Sequence, residues 1–137
     1  MDSQLTTPHG LDRAPAILLV EDEHRLRRTL VRSLEAREFR VEEATTAAEA
    51  VAAVLRNGHD VVLLDVNLPD ATGWDVLRDL REAGHNVPVV VLSAVAPNPA
   101  RVREFRPHGV LLKPFPIDAL LRLIRSAPGV ATEEAGT

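Results

Sequence analysis

Val61-Val62-Leu63-Leu64-Asp65 is a run of four apolar residues that stops on a carboxylate. A short run without polar alternation suits a strand buried on both faces, as in parallel sheets. Three more runs share this form. Ala16-Ile17-Leu18-Leu19-Val20 stops at Glu21-Asp22-Glu23, Val87-Pro88-Val89-Val90-Val91-Leu92 stops at Ser93, and Val110-Leu111-Leu112 stops at Lys113-Pro114. The stretch from Phe39 to Ala44 alternates weakly and reads as a fifth, short strand.

Helical patterns fill the gaps. Leu26, Leu30 and Leu34 recur every four residues with arginines between them, the mark of an amphipathic helix. Thr46 is placed to cap the next helix with Glu49 as capping-box partner, and Ala47, Ala50, Val51 and Val54 form its apolar stripe up to Asn57-Gly58. Leu68 to Gly73 is a loop, and Asp75 to Ala83 is a helix with Val76, Leu77 and Leu80 inward, closed by Gly84. Pro97 and Pro99 make any helix between Ala94 and Phe105 short and late. Pro116 suits the first turn of a last helix whose apolar face is Leu120, Leu121 and Ile124. Five strands alternating with five helices imply right-handed βαβ units, and the chain is too short for a TIM barrel. The expected fold is α/β, a doubly wound five-stranded parallel sheet with helices on both faces.

Composition narrows the function. The 137 residues suit one domain, with 45% hydrophobic and 26% charged residues, as in ordinary globular proteins. A net charge of −4 supplies no basic field for nucleic acid, and the absence of cysteine removes disulfides, thiolate metal sites and thiol catalysis. No segment reaches the roughly 18 apolar residues of a membrane span. Residues 1–14 read as a polar tail without a signal-peptide pattern, 15–127 as the domain and 128–137 as a second tail. A cytoplasmic protein without direct nucleic-acid or membrane contact is the expectation.

In doubly wound sheets the site lies beyond the carboxyl ends of the strands. Here those ends carry Glu21, Asp22, Asp65, Ser93 and Lys113. Carboxylates crowded together must rise in pKa or be neutralised by a cation, and hard oxygen donors favour Mg²⁺. With a fixed ammonium from Lys113 and a hydroxyl from Ser93, these are the parts of a phosphoryl-transfer site.

At these residues the chain resembles the receiver domains of two-component response regulators, which are CheY-like and flavodoxin-like in fold with sheet order 2-1-3-4-5. The matching segments are Ile17–Glu23, Leu63–Asp70, Val91–Ala94 and Leu111–Phe115, in the family's order, and the likeness covers roughly Ala16 to Ser126. The resemblance implies that Asp65 accepts a phosphoryl group from the phosphohistidine of a histidine kinase or phosphotransfer protein. It implies that Asp22, Asp65 and the main-chain carbonyl of Asn67 hold Mg²⁺, with Glu21 in contact through water. Ser93 would move toward the phosphoryl group, Ala94 would leave room for the donor, and Lys113 would pair with the acceptor. The Lys113-Pro114 bond is often cis in the family.

The likeness has gaps. Val110 stands where the family usually has Tyr or Phe, Arg106 stands where Gly is common, and the span from Ser93 to Lys113 is about two residues short. The fourth helix is therefore expected to be irregular, with Phe105 as a candidate substitute ring. The leading expectation is a stand-alone switch, monomeric or weakly dimeric, acting on a downstream protein target or relaying phosphate. It would be no dedicated enzyme, with only slow self-dephosphorylation. The alternatives are a phosphorylation-independent binding module and a small phosphatase resembling haloacid dehalogenases, in which Asn67 replaces the usual second Asp. The histidines at 9, 24, 59, 85 and 108 have no metal-ligand spacing and read as surface or turn residues. Trp74 reads as a packing residue. Arg25, Arg27, Arg28 and Arg32 read as a solvated face.

Overall fold

Every residue of β1 (Ala16–Val20), β3 (Val61–Asp65) and β4 (Val89–Ser93) is buried, as unbroken apolar runs require. These strands form the centre of a computed structural model that describes residues 14–130. With β2 (Arg40–Ala44) and β5 (Gly109–Leu112) they make one parallel sheet in the order β2-β1-β3-β4-β5. The reversal of strand order falls between β1 and β3, whose residues pair in register as Val20 with Leu64.

Alternate residues of each strand face opposite sides. Leu18 and Val20 of β1 point to the layer of α2 (Ala47–Arg56) and α3 (Gly73–Glu82), while Ile17 and Leu19 point to α1 (His24–Glu35) and α5 (Ile117–Arg125). Leu30 and Leu34 of α1 and Leu120, Leu121 and Ile124 of α5 are buried as expected. The apolar stripe of α2 includes Ala53, and Val51 is only half-buried. Thr46 accepts from the Glu49 N–H, but the Glu49 carboxylate answers to Thr45 rather than to Thr46. Thr72 caps α3 in a reciprocal capping box with Asp75, so the helix starts at Gly73, two residues earlier than the sequence pattern placed it.

Four sequence expectations are corrected. The last strand is an edge: β5 is half-buried, and Leu112 is 49% exposed. His59 lies in the turn before β3 but is no surface residue; its side chain is 2% exposed and its Nε2 lies 2.9 Å from Glu42 Oε1, which also accepts from Asn57, while Arg56 pairs with Glu42 Oε2. Arg27 is no solvated side chain; it bonds Glu43 and the carbonyls of Glu21 and Asp22. At the C-terminal boundary, Ala127 is fully buried and Val130 packs against the α1–α5 core, so the packed chain runs past 127. Of the tails expected over 1–14 and 128–137, residues 1–13 and 131–137 lie outside the described residues.

The fourth helix is as short as the prolines dictate. α4 (Pro99–Phe105) starts with Asn98 capping the Ala100 N–H and ends at Arg106, whose φ of 49° is a left-handed conformation that favours glycine. Arg81 of α3 holds this end down. Its guanidinium donates to the carbonyls of Phe105, Arg106, His85 and Val87 at 2.9–3.5 Å. Burial, and then the charge of Arg106, push the Arg81 pKa below the ordinary arginine value. The Phe105 ring packs on Trp74, with centroids 6.5 Å apart, and Trp74 is buried as a core residue.

Arg81→Met would leave those carbonyls without their donor. The expected loss is about 2–3 kcal/mol in urea unfolding, because partly buried acceptors lose a charged donor. Arg78→Met, which removes only exposed ion pairs with Asp75 and Asp79, should cost far less, because solvent screens such pairs. Equal losses for the two would contradict the clamp.

Candidate functional site

The strand register builds the site. Val20 pairs with Leu64, so Glu21 and Asp65, the next residues of adjacent strands, lie side by side. Ser93 pairs with Leu112, and the Lys113 N–H donates to the Ser93 carbonyl at 2.8 Å. From β5 the Lys113 side chain reaches past the end of β4. Its Nζ donates to Glu21 Oε1 and Asp65 Oδ1, each at 3.2 Å. Glu21 is fully buried and Asp65 is 4% exposed. The Lys113-Pro114 bond is cis.

Two buried carboxylates share one partly exposed ammonium, and the electrostatics show the shortfall. Burial raises the Glu21 pKa and the charge of Asp65 adds to it; the Glu23 N–H and Lys113 offset this only in part. Burial works against the Lys113 ammonium, but the charges of Glu21 and Asp65 outweigh it and hold its pKa above the ordinary lysine value. Asp65 uses Oδ1 for both Lys113 and the Asn67 N–H, whereas its Oδ2 accepts no hydrogen bond among the described residues. A carboxylate with one oxygen fixed and the other open is an oriented nucleophile.

The loop after β3 is pinned to its own strand. The Gly73 N–H donates to the Val66 carbonyl at 2.8 Å. A Cβ on Gly73 would lie 2.5 Å from the Asp65 carbonyl oxygen, so glycine lets α3 begin against the backbone of the acceptor strand. Asp70 reaches across to α2, where its two oxygens accept the Ala47 and Ala48 N–H groups at 2.7 and 3.1 Å. These bonds hold the Asp70 carboxyl below the usual aspartate range, the Ala47 contribution first.

The structure thus gathers Glu21, Asp65 and Lys113 into contact and sets Asn67 beside them. Asp22 and Ser93 stand apart. Asp22 is exposed, and the cap of α1 is its neighbour Glu23, whose carboxylate accepts the Arg25 and Leu26 N–H groups. The Ser93 hydroxyl is turned to its own loop, donating to the Val95 carbonyl at 2.6 Å and accepting the Val95 N–H. The donor chemistry suits a hard divalent cation: oxygen donors only, with excess negative charge. Among the described residues no three acidic, histidine or cysteine side chains converge closely enough to hold one. Lys113 takes the bridging position. Sequence reading missed Arg27, Asp70 and the close approach at Gly73. Only Gly73 left a signal, as the glycine that ends the loop after Asp65.

Several known proteins resemble this chain. The family model of the response regulator receiver domain matches residues 17–125. The uncharacterized transcriptional regulatory protein YkoG of Bacillus subtilis is 37% identical over 126 residues, which is 88% of this chain and 55% of that protein. The chain spans about half the length of the curated relatives it matches. The non-phosphorylated HemR receiver domain of Leptospira biflexa superposes with a TM-score of 0.72 at 36% identity, over 80% of this chain and 94% of that one. The response regulator TrrA of Thermotoga maritima, solved with Mg²⁺ and BeF, shares the fold at a TM-score of 0.74 and 22% identity, over 81% and 96% of the two chains.

The raised Glu21 pKa fixes the sign of a pH effect. An acid whose pKa is higher folded than unfolded loses stabilisation as pH rises from its unfolded value, about 4.3, through the folded one. With divalent cations chelated, Glu21→Gln should gain stability over the natural chain as pH is raised from about 4 to about 7.5. Urea unfolding at both ends of that range reads the difference; parallel curves would contradict the buried-charge account.

Proposed function

We propose that this chain, which belongs to the response regulator receiver domain family, is a phosphorylation switch with Asp65 as its acceptor. The observation that carries the reading is the paired use of Asp65: Oδ1 is fixed by Lys113 and the Asn67 N–H, and Oδ2 is open. Response regulators take their phosphoryl groups from histidine kinases. The Asp65 oxygen would attack the phosphorus of a phosphohistidine, forming an O–P bond. The P–N bond breaks, and the imidazole leaves with its electron pair to be protonated. Lys113 would keep the acceptor placed and then pair with the phosphoryl oxygens. Bound Mg²⁺, held by Asp65, Asp22 and the Asn67 carbonyl with Glu21 through water, would neutralise the charge that Lys113 alone leaves uncompensated.

Ser93 is the second element. To donate to a phosphoryl oxygen its hydroxyl must leave Val95, so acceptance of phosphate and rearrangement of the loop after β4 are one event. That is a population shift, favoured because the phosphoryl group binds one arrangement better. Attack of water on the acyl phosphate would release inorganic phosphate and regenerate the Asp65 carboxylate, a reset rather than a dedicated enzymatic activity. We read the output as a protein surface and the setting as cytoplasmic; no helix among the described residues is long and apolar enough to cross a membrane. YkoG is named a transcriptional regulatory protein. The absence of nucleic-acid contact expected from the charge is therefore an outcome to measure. Val110 in place of a mobile ring favours one second reading, a binding module that works without phosphorylation.

Intact-protein mass after incubation with acetyl phosphate tests the reading. One phosphoryl adduct is expected with Mg²⁺, none without it, and none for Asp65→Asn under either condition. No adduct on the natural chain would sink the switch and leave the binding module.

A further inference from the structure

α2 has an unusual supply of caps. Of its first free N–H groups, that of Glu49 goes to the Thr46 hydroxyl, and the first intrahelical bond runs from the Ala50 N–H to the Thr46 carbonyl. Those of Ala47 and Ala48 go to Asp70, which follows them by more than twenty residues and belongs to another loop. The usual capping residue comes from the helix's own entry. Here the donors are satisfied by the segment that leaves the acceptor strand.

Seen from that segment, the same two bonds have a second consequence. Residues 67–72 are tied near their ends to their own strand and helix: Asn67 to the Asp65 carboxylate, Gly73 to the Val66 carbonyl, and Thr72 to Asp75. Between these ties the loop is held by half-buried Leu68 and Ala71 against the α2–α3 core. The polar hold on its middle is Asp70, anchored to two amides at the start of a helix. The partial positive charge of that helix end strengthens carboxylate bonds. Asn67 lies three residues before this anchor.

We propose that Asp70 is a positioning residue of the phosphoacceptor site: by bonding the α2 N-terminus it fixes the loop that carries Asn67 and so sets the affinity for Mg²⁺. The inference rests on the receiver reading for its ligand but on the Asp70–α2 contact for its mechanism. Asp70 does not itself touch the reacting atoms. Its effect passes through the backbone from Ala71 and Leu68 to the Asn67 carbonyl.

The test uses the full chain and three variants. Asp70→Ala removes both bonds. Asp70→Asn keeps an acceptor oxygen for one of them. Thr46→Ala removes a cap from the same helix without touching the loop, and controls for a merely structural effect. Mg²⁺ affinity is read from the fluorescence of Trp74, the single tryptophan, which follows Gly73 at the acceptor backbone. Supporting groups around metal ligands typically change affinity by about 10-fold or more when removed. The expected order is a drop of about 10-fold for Asp70→Ala, a smaller one for Asp70→Asn, and none for Thr46→Ala. Amide exchange in residues 67–72 is measured alongside in metal-free buffer, and should quicken in Asp70→Ala but not in Thr46→Ala. Unchanged affinity in Asp70→Ala, or equal losses in Asp70→Ala and Thr46→Ala, would overturn the proposal. If the natural chain binds no Mg²⁺, the receiver reading and the affinity claim both fall; the exchange data then decide on their own whether Asp70 holds the loop.

Discussion

One ammonium shared by two buried carboxylates is the constraint around which this fold is arranged. Glu21 and Asp65 sit together because β1 and β3 are neighbours in register. Lys113 reaches them only because β5 is parallel to both and ends at the same height, with β4 between it and β3, and β3 and β4 between it and β1. Adjacent strands stand about 4.8 Å apart, so carboxylates two and three strands away must lean toward the lysine to meet it. Shifting β5 by one residue would turn Lys113 to the other face of the sheet. The Lys113 N–H bond to the Ser93 carbonyl extends the ladder past the last paired residues and guards against that slip. With both carboxylates ionised, the arrangement leaves one negative charge uncompensated. On the proposed reading a phosphoryl group would add more, and a bound divalent cation would offset it.

Much of this was legible in the chain. Unbroken apolar runs mark β1, β3 and β4 because a strand buried on both faces has no use for alternation. The polar residue that ends each run marks the site because strand ends are where a parallel sheet meets solvent. The Pro97 and Pro99 positions gave the late start of α4, and Gly84, with φ 85°, closes α3 as expected. What escaped the reading depends on contacts far apart in sequence. Nothing local says that Asp70 caps a helix that begins 23 residues earlier. Nothing local separates Arg27, which fastens the turn carrying Asp22, from the exposed arginines beside it. Periodicity reports which face is buried, not which partner waits there. For the same reason β5 read as a buried strand: its three apolar residues match the central runs, and only the topology makes it an edge.

The departures from the family pattern cluster at one end of the sheet and explain one another. With fewer residues between Ser93 and Lys113, α4 has room for only seven. A helix that short is marginal by itself. Its C-terminal end is fastened from outside, by the Arg81 guanidinium and by the contact of Phe105 with Trp74. Arg106, in a left-handed conformation that glycine would adopt without strain, ends the helix where the sharp turn into β5 demands it. These residues act as a unit. The strained turn is tolerated because Arg81 accepts no freedom there: it bonds the carbonyls on both sides of the Phe105–Arg106 junction.

Phe105 is held through its own carbonyl, and its ring packs against a buried tryptophan, so in this structure it braces α4. Any rearrangement that begins when Ser93 lets go of Val95 must then be absorbed before α4 starts, in Ala94 to Asn98. Those residues have the right character for it. Val95 is 69% exposed with its backbone held by a single hydroxyl, and Pro97 keeps the segment from extending the helix. The segment is short, apolar as far as Pro97, and it leaves the end of β4 directly after Ser93. On the proposed switch reading, a change at Ser93 would reach this segment before it reached α4.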